Sequence, residues 1–240
     1  MKRIVIIGAT SGIGLEVARL FIRQGWRVGV AGRRLELLHA LQQEAPDQVE
    51  TERIDVSEED APESLYALIR KLGGMDIFFL SAGIGWQNRE LDTEKELKTL
   101  ATNGVGFTRM VDAAFHYFKE NQGGHIGVIS SIAGTKGLGA APAYSATKRF
   151  QNSYIDALAQ LARMNKLPIR FTDIRPGFVR TDLIKGQPFP LQLEAEKVAL
   201  HIVKALLRKK RRVTIDWRYR ILVFFWRLIP AWLWERLSIH

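Results

Sequence analysis

Short apolar runs alternate along the chain with longer stretches in which apolar residues recur at helical spacing. The apolar runs predict strands at Arg3–Ile7, Val28–Ala31, Val49–Ile54, Ile77–Leu80, Ile126–Ile129 and Ile169–Ile174, with a last edge strand at Val213–Asp216. The periodic stretches predict helices at Leu15–Ile22, Leu35–Glu44, Glu58–Leu72, Lys95–Glu120, Tyr144–Asn165 and Glu194–Leu207. Strands separated by helices predict an α/β fold, with a doubly wound parallel sheet covered by helices on both faces.

Residues that could bind a ligand or take part in a reaction follow the predicted strands. In open parallel sheets, ligands bind beyond the carboxyl ends of the strands. Five residues of this kind come just after a predicted strand: Gly8, Asp55, Gly83, Ser131 and Pro176. We therefore expect them to gather along one edge of the sheet, although they are far apart in sequence.

The first predicted strand runs into a glycine-rich segment, Gly8-Ala9-Thr10-Ser11-Gly12-Ile13-Gly14, and an amphipathic helix follows. Glycines permit a tight turn and close approach of the backbone to a pyrophosphate, while the helix N-terminus presents N–H groups and a positive dipole end. A strand, a glycine-rich turn and a helix in this order predict a Rossmann-like dinucleotide site. A structural turn without a ligand is the alternative.

Tyr144 and Lys148 are four residues apart in a predicted helix and so share one face. A neighbouring ammonium favours the ionised phenol, so we expect Lys148 to lower the pKa of Tyr144. Such a tyrosine exchanges a proton with a carbonyl or alcohol oxygen near neutral pH. A surface lysine beside a packed ring is the alternative for this pair alone.

The Gly-x-x-x-Gly-x-Gly spacing and the Tyr144/Lys148 pair together resemble the short-chain dehydrogenase/reductase family, in its single-domain branch. The likeness covers residues 1–216. Asp55-Val56 lie where the family's Asp contacts adenine, and Ser81-Ala82-Gly83 resembles the family's Asn-Asn-Ala-Gly, with Leu80 and Ser81 replacing the asparagines. Asn103 matches the family's helix asparagine, Ser131 stands thirteen residues before Tyr144, and Pro176 to Thr181 resembles the stretch lining the nicotinamide.

The resemblance implies roles for these positions. Tyr144 is the general acid or base, Lys148 assists it and binds the nicotinamide ribose, Ser131 binds the reacting oxygen, and Asn103 holds a water linked to Lys148. The catalytic residues so implied are Asn103, Ser131, Tyr144 and Lys148. The cofactor-binding residues are Gly8, Thr10, Ser11, Gly12, Ile13, Gly14, Arg33, Arg34, Asp55, Val56, Ser81, Ala82, Gly83, Asn103, Tyr144, Lys148, Pro176, Gly177, Val179 and Thr181.

The end of the second predicted strand bears on the choice of cofactor. An NAD-preferring site places a carboxylate there for the ribose 2′-hydroxyl, but this chain has Arg33 and Arg34. Two guanidiniums suit a 2′-phosphate, so we predict NADP(H) in preference to NAD(H). By resemblance, Arg33 makes the direct contact and Arg34 adds positive field or stacking. The alternative is that both are solvated charges opening the next helix.

Composition excludes other chemistries. The chain of 240 residues contains no cysteine, so disulfides and thiol chemistry are excluded, and its five histidines show no ligand spacing, so we predict no metal. The N-terminal apolar run breaks too early into the glycine-rich turn to be a signal peptide. We expect a cytoplasmic protein.

The segment from Asp182 to Leu191 contains a glycine and two prolines and is mostly apolar. We predict a lid there, and an apolar substrate. Trp86 either lines the pocket or simply packs.

The predicted function is hydride transfer between NADP(H) and a carbonyl or secondary alcohol of a lipid-, steroid- or ketone-like compound. The alternative is a catalytically silent NADPH-binding sensor or scaffold. The resemblance also implies a homodimer or homotetramer.

The C-terminal tail is aromatic and basic. Residues 208–240 carry +7 of the net charge of +10, so the basicity is not a diffuse nucleic-acid surface and no nucleic acid is expected. We divide the chain into an NAD(P)-binding Rossmann-fold domain, 1–216, and a helical extension, 217–240. Arg227 and Pro230 leave the apolar run too short to span a membrane. Packing on the protein, a dimer contact and peripheral contact with an anionic membrane remain open for the extension.

Overall fold

The computed structural model describes residues 2–184, 186 and 189–237. Its strands are β1 (Arg3–Ile7), β2 (Arg27–Gly32), β3 (Val49–Arg53), β4 (Ile77–Leu80), β5 (Gly124–Ile129), β6 (Ile169–Arg175), β7 (Val179–Arg180), β8 (Leu193–Glu194) and β9 (Arg212–Thr214). Its α-helices are α1 (Gly12–Arg23), α2 (Leu35–Glu44), α3 (Ala61–Leu72), α4 (Thr93–Leu100), α5 (Phe107–Glu120), α6 (Pro142–Met164), α7 (Ala195–Leu207), α8 (Trp217–Leu228) and α9 (Ala231–Trp234).

Seven strands form one parallel sheet in the order β3-β2-β1-β4-β5-β6-β9, and β7 pairs with β8 apart from it. Side chains alternate across the sheet, so β1 sends Val5 and Ile7 into one core and Ile4 and Ile6 into the other. Helices α3, α5 and α6 cover the first face, and α1, α2 and α7 cover the second. The predicted α/β fold and the edge position of the last strand are confirmed.

Two predicted helices differ from the structure for local reasons. The helix predicted from Glu58 begins at Ala61, because Pro62 lacks an N–H and fits the first turn. The helix predicted over Lys95–Glu120 contains a π-helical segment, Ala101–Gly106, between α4 and α5. At Gly106 a Cβ would lie 2.6 Å from the carbonyl oxygen of Val56, so the chain passes there only without a side chain. The irregular segment is where Asn103 lies.

The last strand ends before the predicted boundary. β9 stops at Thr214, and Asp216 adopts φ 74° and accepts a hydrogen bond from Arg218 N at 2.9 Å, which starts α8. The inner side of α8 then buries Tyr219 and Val223 against Ile132. The tail therefore packs on the α/β core with part of its surface. Within the described ranges, no helix combines the length and the apolar character needed to cross a membrane.

Candidate active site

The glycine-rich turn connects β1 to α1 and is shaped for close backbone approach. Gly8 and Gly12 have φ values of +89° and +56°, in the left-handed region that favours glycine. A Cβ on Gly14 would collide with the Gly8 carbonyl. Ser11 is the N-cap of α1 but makes no side-chain cap hydrogen bond, so the first-turn N–H groups have no such acceptor. This cradle fits a pyrophosphate. Ile13 packs against the adjoining core.

The structure places Arg34 at this turn. Its Nη2 donates to Thr10 Oγ1 and Ser11 Oγ, both at 2.9 Å. Arg33 instead interacts through its charge with Asp55. The Asp55 carboxylate accepts hydrogen bonds from Ser57 N at 3.0 Å and Ser57 Oγ at 2.6 Å. Burial acts to raise the pKa of Asp55, but the Ser57 hydrogen bonds and the charge of Arg33 offset this and lower it.

The strand ends bring the middle motifs to the same edge. Ser81 N and Ala82 N both donate to Ile7 O, at 2.8 and 3.0 Å, which ties the end of β4 to the end of β1. A Cβ on Gly83 would lie 3.3 Å from Asn103 Oδ1 and 3.5 Å from Lys148 Nζ. Gly83 therefore borders both polar groups.

Ser131 follows β5 and caps a short 3-10 turn, Ile132–Thr135. Its Oγ accepts a hydrogen bond from Ala133 N at 3.1 Å. The same hydroxyl interacts with the phenol of Tyr144. Ser131 therefore both caps this turn and lies beside Tyr144.

Tyr144 lies in the first turns of α6, with its ring against Gly85, where a Cβ would overlap the ring. Lys148 Nζ is 5.7 Å from the ring centroid. Burial of the hydroxyl raises the pKa of Tyr144, and the hydrogen bond with Ser131 acts in the opposite direction. The expectation that Lys148 lowers this pKa is therefore not met, because burial dominates the shift and the charge of Lys148 is not among its causes.

Lys148 is buried, with 4% of its surface exposed. Its Nζ donates to Ile129 O at 3.0 Å and to Gln151 Oε1 at 3.1 Å. Burial lowers its pKa to about 8, while the negative charge of Asp173 acts to raise it. The side chain is thus a buried cation supported by two neutral acceptors.

Asn103 is fully buried, and its side chain clamps Ile84. Oδ1 accepts from Ile84 N at 2.9 Å, and Nδ2 donates to Ile84 O at 2.6 Å. The backbone carbonyl of Asn103 accepts from Gln151 Nε2 at 2.8 Å. Gln151 therefore joins Asn103 directly to Lys148. Gln151 and Gly85 could not be recognised from the sequence, because neither belongs to one of the family-like motifs.

The last motif meets the tail. Pro176 O accepts from Ile132 N at 3.1 Å, and a Cβ on Gly177 would overlap the ring of Tyr219. Tyr219 also accepts a hydrogen bond from Phe178 N at 3.2 Å. The absence of a side chain at Gly177 is therefore required by a residue of α8, which no local pattern indicated.

Val179 is buried in β7, and Thr181 lies beside Gly12, where a Cβ would meet Thr181 Cγ2 at 3.0 Å. An open cleft of about 840 Å³ lies here, lined by residues including Ser11, Gly12, Thr181 and Glu196. Neither Ser131 nor Tyr144 lines it, so it adjoins the glycine-rich turn and not the Ser131/Tyr144 pair.

The predicted lid falls partly on Lys185, Gln187 and Pro188, which lie outside the described residues. Phe189 stacks on Phe178 with ring centroids 4.1 Å apart, which puts aromatic surface near the end of this segment. Trp86 is 40% exposed. Among the residues that the structure describes, no group of three His, Asp or Glu side chains could hold a metal ion.

The fold and the site define a nucleotide-binding α/β oxidoreductase. The family model described as short chain dehydrogenase matches residues 2–188, and the chain belongs to that family. A relative from Myxococcus xanthus, named only as an uncharacterized oxidoreductase, is 31% identical over 94% of this chain and 92% of its own. Dehydrogenase/reductase SDR family member 7B of Bos taurus is 29% identical over 88% of this chain and 72% of its own.

Solved structures carry the same fold. A serine dehydrogenase complexed with NADP+ superposes with a TM-score of 0.79 at 28% identity, covering 88% of this chain and 92% of its own. An alcohol dehydrogenase from Thermococcus sibiricus, complexed with 5-hydroxy-NADP, gives 0.77 at 25%, covering 91% and 97%. A 3-ketoacyl-(acyl-carrier-protein) reductase from Brucella melitensis, complexed with NADH, gives 0.78 at 25%, covering 90% and 96%.

Proposed function

We propose that this oxidoreductase uses NADP(H) to interconvert a carbonyl and a secondary alcohol on an apolar substrate. The observation that carries the proposal is the convergence of Ser131, Tyr144 and Lys148 at the carboxyl edge of the sheet that holds the glycine-rich turn. The nicotinamide, when bound, supplies or accepts the hydride. The protein positions the reactants and moves the proton.

Tyr144 is the proton donor in reduction. Because burial raises its pKa, the phenol is protonated at neutral pH, which is the form that reduction requires. Ser131 donates a hydrogen bond to the substrate oxygen, where negative charge develops. Lys148 places a positive charge 5.7 Å from the Tyr144 ring and stabilises the phenolate left after proton transfer.

The residues that would hold the cofactor also support the preference for NADP(H). The turn from Gly8 to Gly14 would take the pyrophosphate, with Arg33 and Arg34 near the adenosine ribose. Two of the three solved neighbours described above carry an NADP species, and the third carries NADH. The absence of an acid at positions 33 and 34 favours the phosphorylated form.

An apolar substrate is supported by apolar side chains in and beside the segment predicted as a lid, together with Trp86 after Gly83. Phe178 and Phe189 form a stacked pair, and Leu183 and Trp86 are each 40% exposed. The proposal therefore covers ketones and secondary alcohols with a substantial hydrocarbon portion.

The test mixes the full chain with NADPH and a panel of apolar ketones, and follows the loss of reduced-nicotinamide absorbance. We expect turnover with the wild type. Tyr144→Phe should lower it by about 10² to 10⁴-fold while NADPH still binds, because only the transferable proton is removed. NADPH binding without turnover on any ketone would favour a silent sensor instead. Near-normal turnover by Tyr144→Phe would disprove the proton-transfer role.

A further inference from the structure

Helix α8 has two apolar faces, and only one of them is covered by the protein. The inner face buries Tyr219 and Val223, at 1% and 6% exposure. The outer side chains are between 49% and 66% exposed. We call these outer residues the tail face, and they are Trp217, Ile221, Phe224, Phe225 and Leu228.

The tail face is a continuous stripe. At about 100° per residue, its five members fall within an arc of roughly 100° on the helix surface. Arg220 and Arg227 border the stripe on one side, and Arg218 borders it on the other. Trp232 of α9 is a further exposed indole, at 60%, and lies against the guanidinium of Arg236. Exposed apolar patches that are rimmed by polar residues are typical of interaction sites.

An apolar stripe fits either a second copy of this chain or a lipid surface, and charge distinguishes between these two occupants. From Trp217 to Trp234 the sequence has three arginines and no acidic residue. A two-fold dimer built on this stripe would set identical arginine borders against each other, and like charges would repel. An anionic lipid surface offers phosphates to the arginines and an acyl boundary to the aromatic rings.

Arg227 lies near other arginines, of which Arg175 and Arg212 are paired with Asp173 and Asp156. Burial and the charges of Arg175, Arg212 and Arg149 together lower the pKa of Arg227. Arg218 is the bordering residue with an ion pair to a carboxylate, at 2.8 Å from Asp216. Among the described residues, Arg220 and Arg227 therefore form the border of the tail face whose guanidiniums have no ion pair to a carboxylate.

We propose that the tail face docks α8 in the plane of an anionic phospholipid surface, with its rings at the acyl boundary and Arg220 and Arg227 on lipid phosphates. Aromatic and leucine side chains bordered by arginine are typical of helices that lie in this interface. Because α8 packs on Ile132, the residue after Ser131, docking also holds the candidate active site close to the lipid. That consequence rests on the proposed function, but the docking does not.

The test is co-sedimentation of the full chain with vesicles of phosphatidylcholine, prepared with and without phosphatidylglycerol. We expect binding to the anionic vesicles that weakens with salt. Phe224→Gln with Phe225→Gln should reduce partitioning at least ten-fold. Arg220→Glu with Arg227→Glu should abolish the preference for phosphatidylglycerol. All four positions are exposed, so the variants should melt like the wild type.

Matched controls change similar residues elsewhere. Leu97→Gln with Met164→Gln alters side chains that are 60% and 72% exposed, and Arg23→Glu with Arg163→Glu makes the same charge change on other helices. Both controls should partition like the wild type. Failure of the full chain to sediment with anionic vesicles would overturn the proposal. Equal loss in the controls, or a dimer that the Phe224/Phe225 variant converts to a monomer, would also overturn it. Vesicle co-sedimentation does not depend on turnover, so a chain that reduced no ketone would still be tested for docking by this experiment.

Discussion

Lys148 Nζ donates to Gln151 Oε1 at 3.1 Å, and the same amide donates through Nε2 to the carbonyl of Asn103 at 2.8 Å. The orientation of the amide follows from its partners, since an ammonium only donates and a carbonyl only accepts. Gln151 is therefore a positioning residue that connects the π-helical segment to the buried lysine. It also supplies one of the two acceptors that keep Lys148 charged inside the protein.

The first prediction concerns the pH dependence of turnover. Lys148 is charged below its pKa of about 8. Gln151→Leu removes an acceptor of the ammonium, so that pKa should fall, and the alkaline limit of ketone reduction should move down by roughly one unit. Gln151→Glu places a carboxylate there and should move the limit up. The measurement is kcat/KM for reduction against pH.

The control for this pair is Gln160→Leu, which makes the same change at an exposed position of α6. It should leave the profile unchanged. Opposite shifts for Leu and Glu at position 151 distinguish an electrostatic role from a structural one. Shifts in the same direction would rule out the role assigned to Gln151.

The second prediction concerns cofactor preference. Arg34 lies on Thr10 and Ser11, while Arg33 was the residue assigned to the 2′-phosphate from the sequence. Arg33→Asp and Arg34→Asp should each lower the NADPH-to-NADH ratio of kcat/KM, by about ten-fold to a hundred-fold, because each removes a charge-assisted contact and adds repulsion. The larger effect identifies the residue that holds the phosphate.

Arg23→Asp is the matched control, since it makes the same charge change on the exposed C-terminal turn of α1. That variant should keep the wild-type ratio. If neither Arg33→Asp nor Arg34→Asp changes the ratio, the preference for NADP(H) is wrong.

Most of the sheet could be predicted because buried parallel strands are continuous apolar runs, and β1 and β4 begin and end where the sequence indicated. The π-helical segment at Ala101–Gly106 could not be predicted, since a helical pattern of apolar residues does not show that the Val56 carbonyl lies close to Gly106. The start of the helical extension at Trp217 agrees with the division at residue 216, but the last strand was predicted two residues too long, because the capping role of Asp216 depends on its side chain accepting from Arg218 N.

The residues of the candidate site were predictable as types and spacings, but their electrostatics were not. A helical i, i+4 pair indicates that Tyr144 and Lys148 are neighbours, yet it says nothing about how deeply each is buried. Burial sets the direction of both pKa shifts. Gly85 could not be recognised either, because its role depends on the Tyr144 ring lying against it.

The third prediction tests that contact. Gly85→Ala places a methyl group inside the space of the Tyr144 ring, so the ring must leave its present position beside Ser131. Turnover should fall about ten-fold to a hundred-fold, because a displacement of about 1 Å has effects of this size. Gly139→Ala is the control, since nothing lies within 4 Å of its added Cβ. Equal rates in the two variants would show that ring position does not limit turnover.

The last prediction concerns stability in acid and depends on His125 of β5. Its Nε2 bonds Thr172 Oγ1 at 2.8 Å, and its buried Nδ1 has no hydrogen-bond partner among the described residues. Burial, with a smaller contribution from the charge of Lys209, lowers its pKa from 6.5 to about 4. The unfolded chain therefore binds a proton between pH 6.5 and 4 that the folded chain does not bind.

Stability should consequently fall as the pH drops from 6.5 to 4, by about 3 kcal/mol for this one group. Urea unfolding of wild type and His125→Gln at pH 7 and pH 5 covers the upper part of this window, about 2 kcal/mol of the loss, and the variant should lose less between the two conditions. His116→Gln, at an exposed histidine of α5, should lose as much as the wild type. If His125→Gln and His116→Gln show the same pH dependence as the wild type, then His125 is not the group that destabilises the fold in acid.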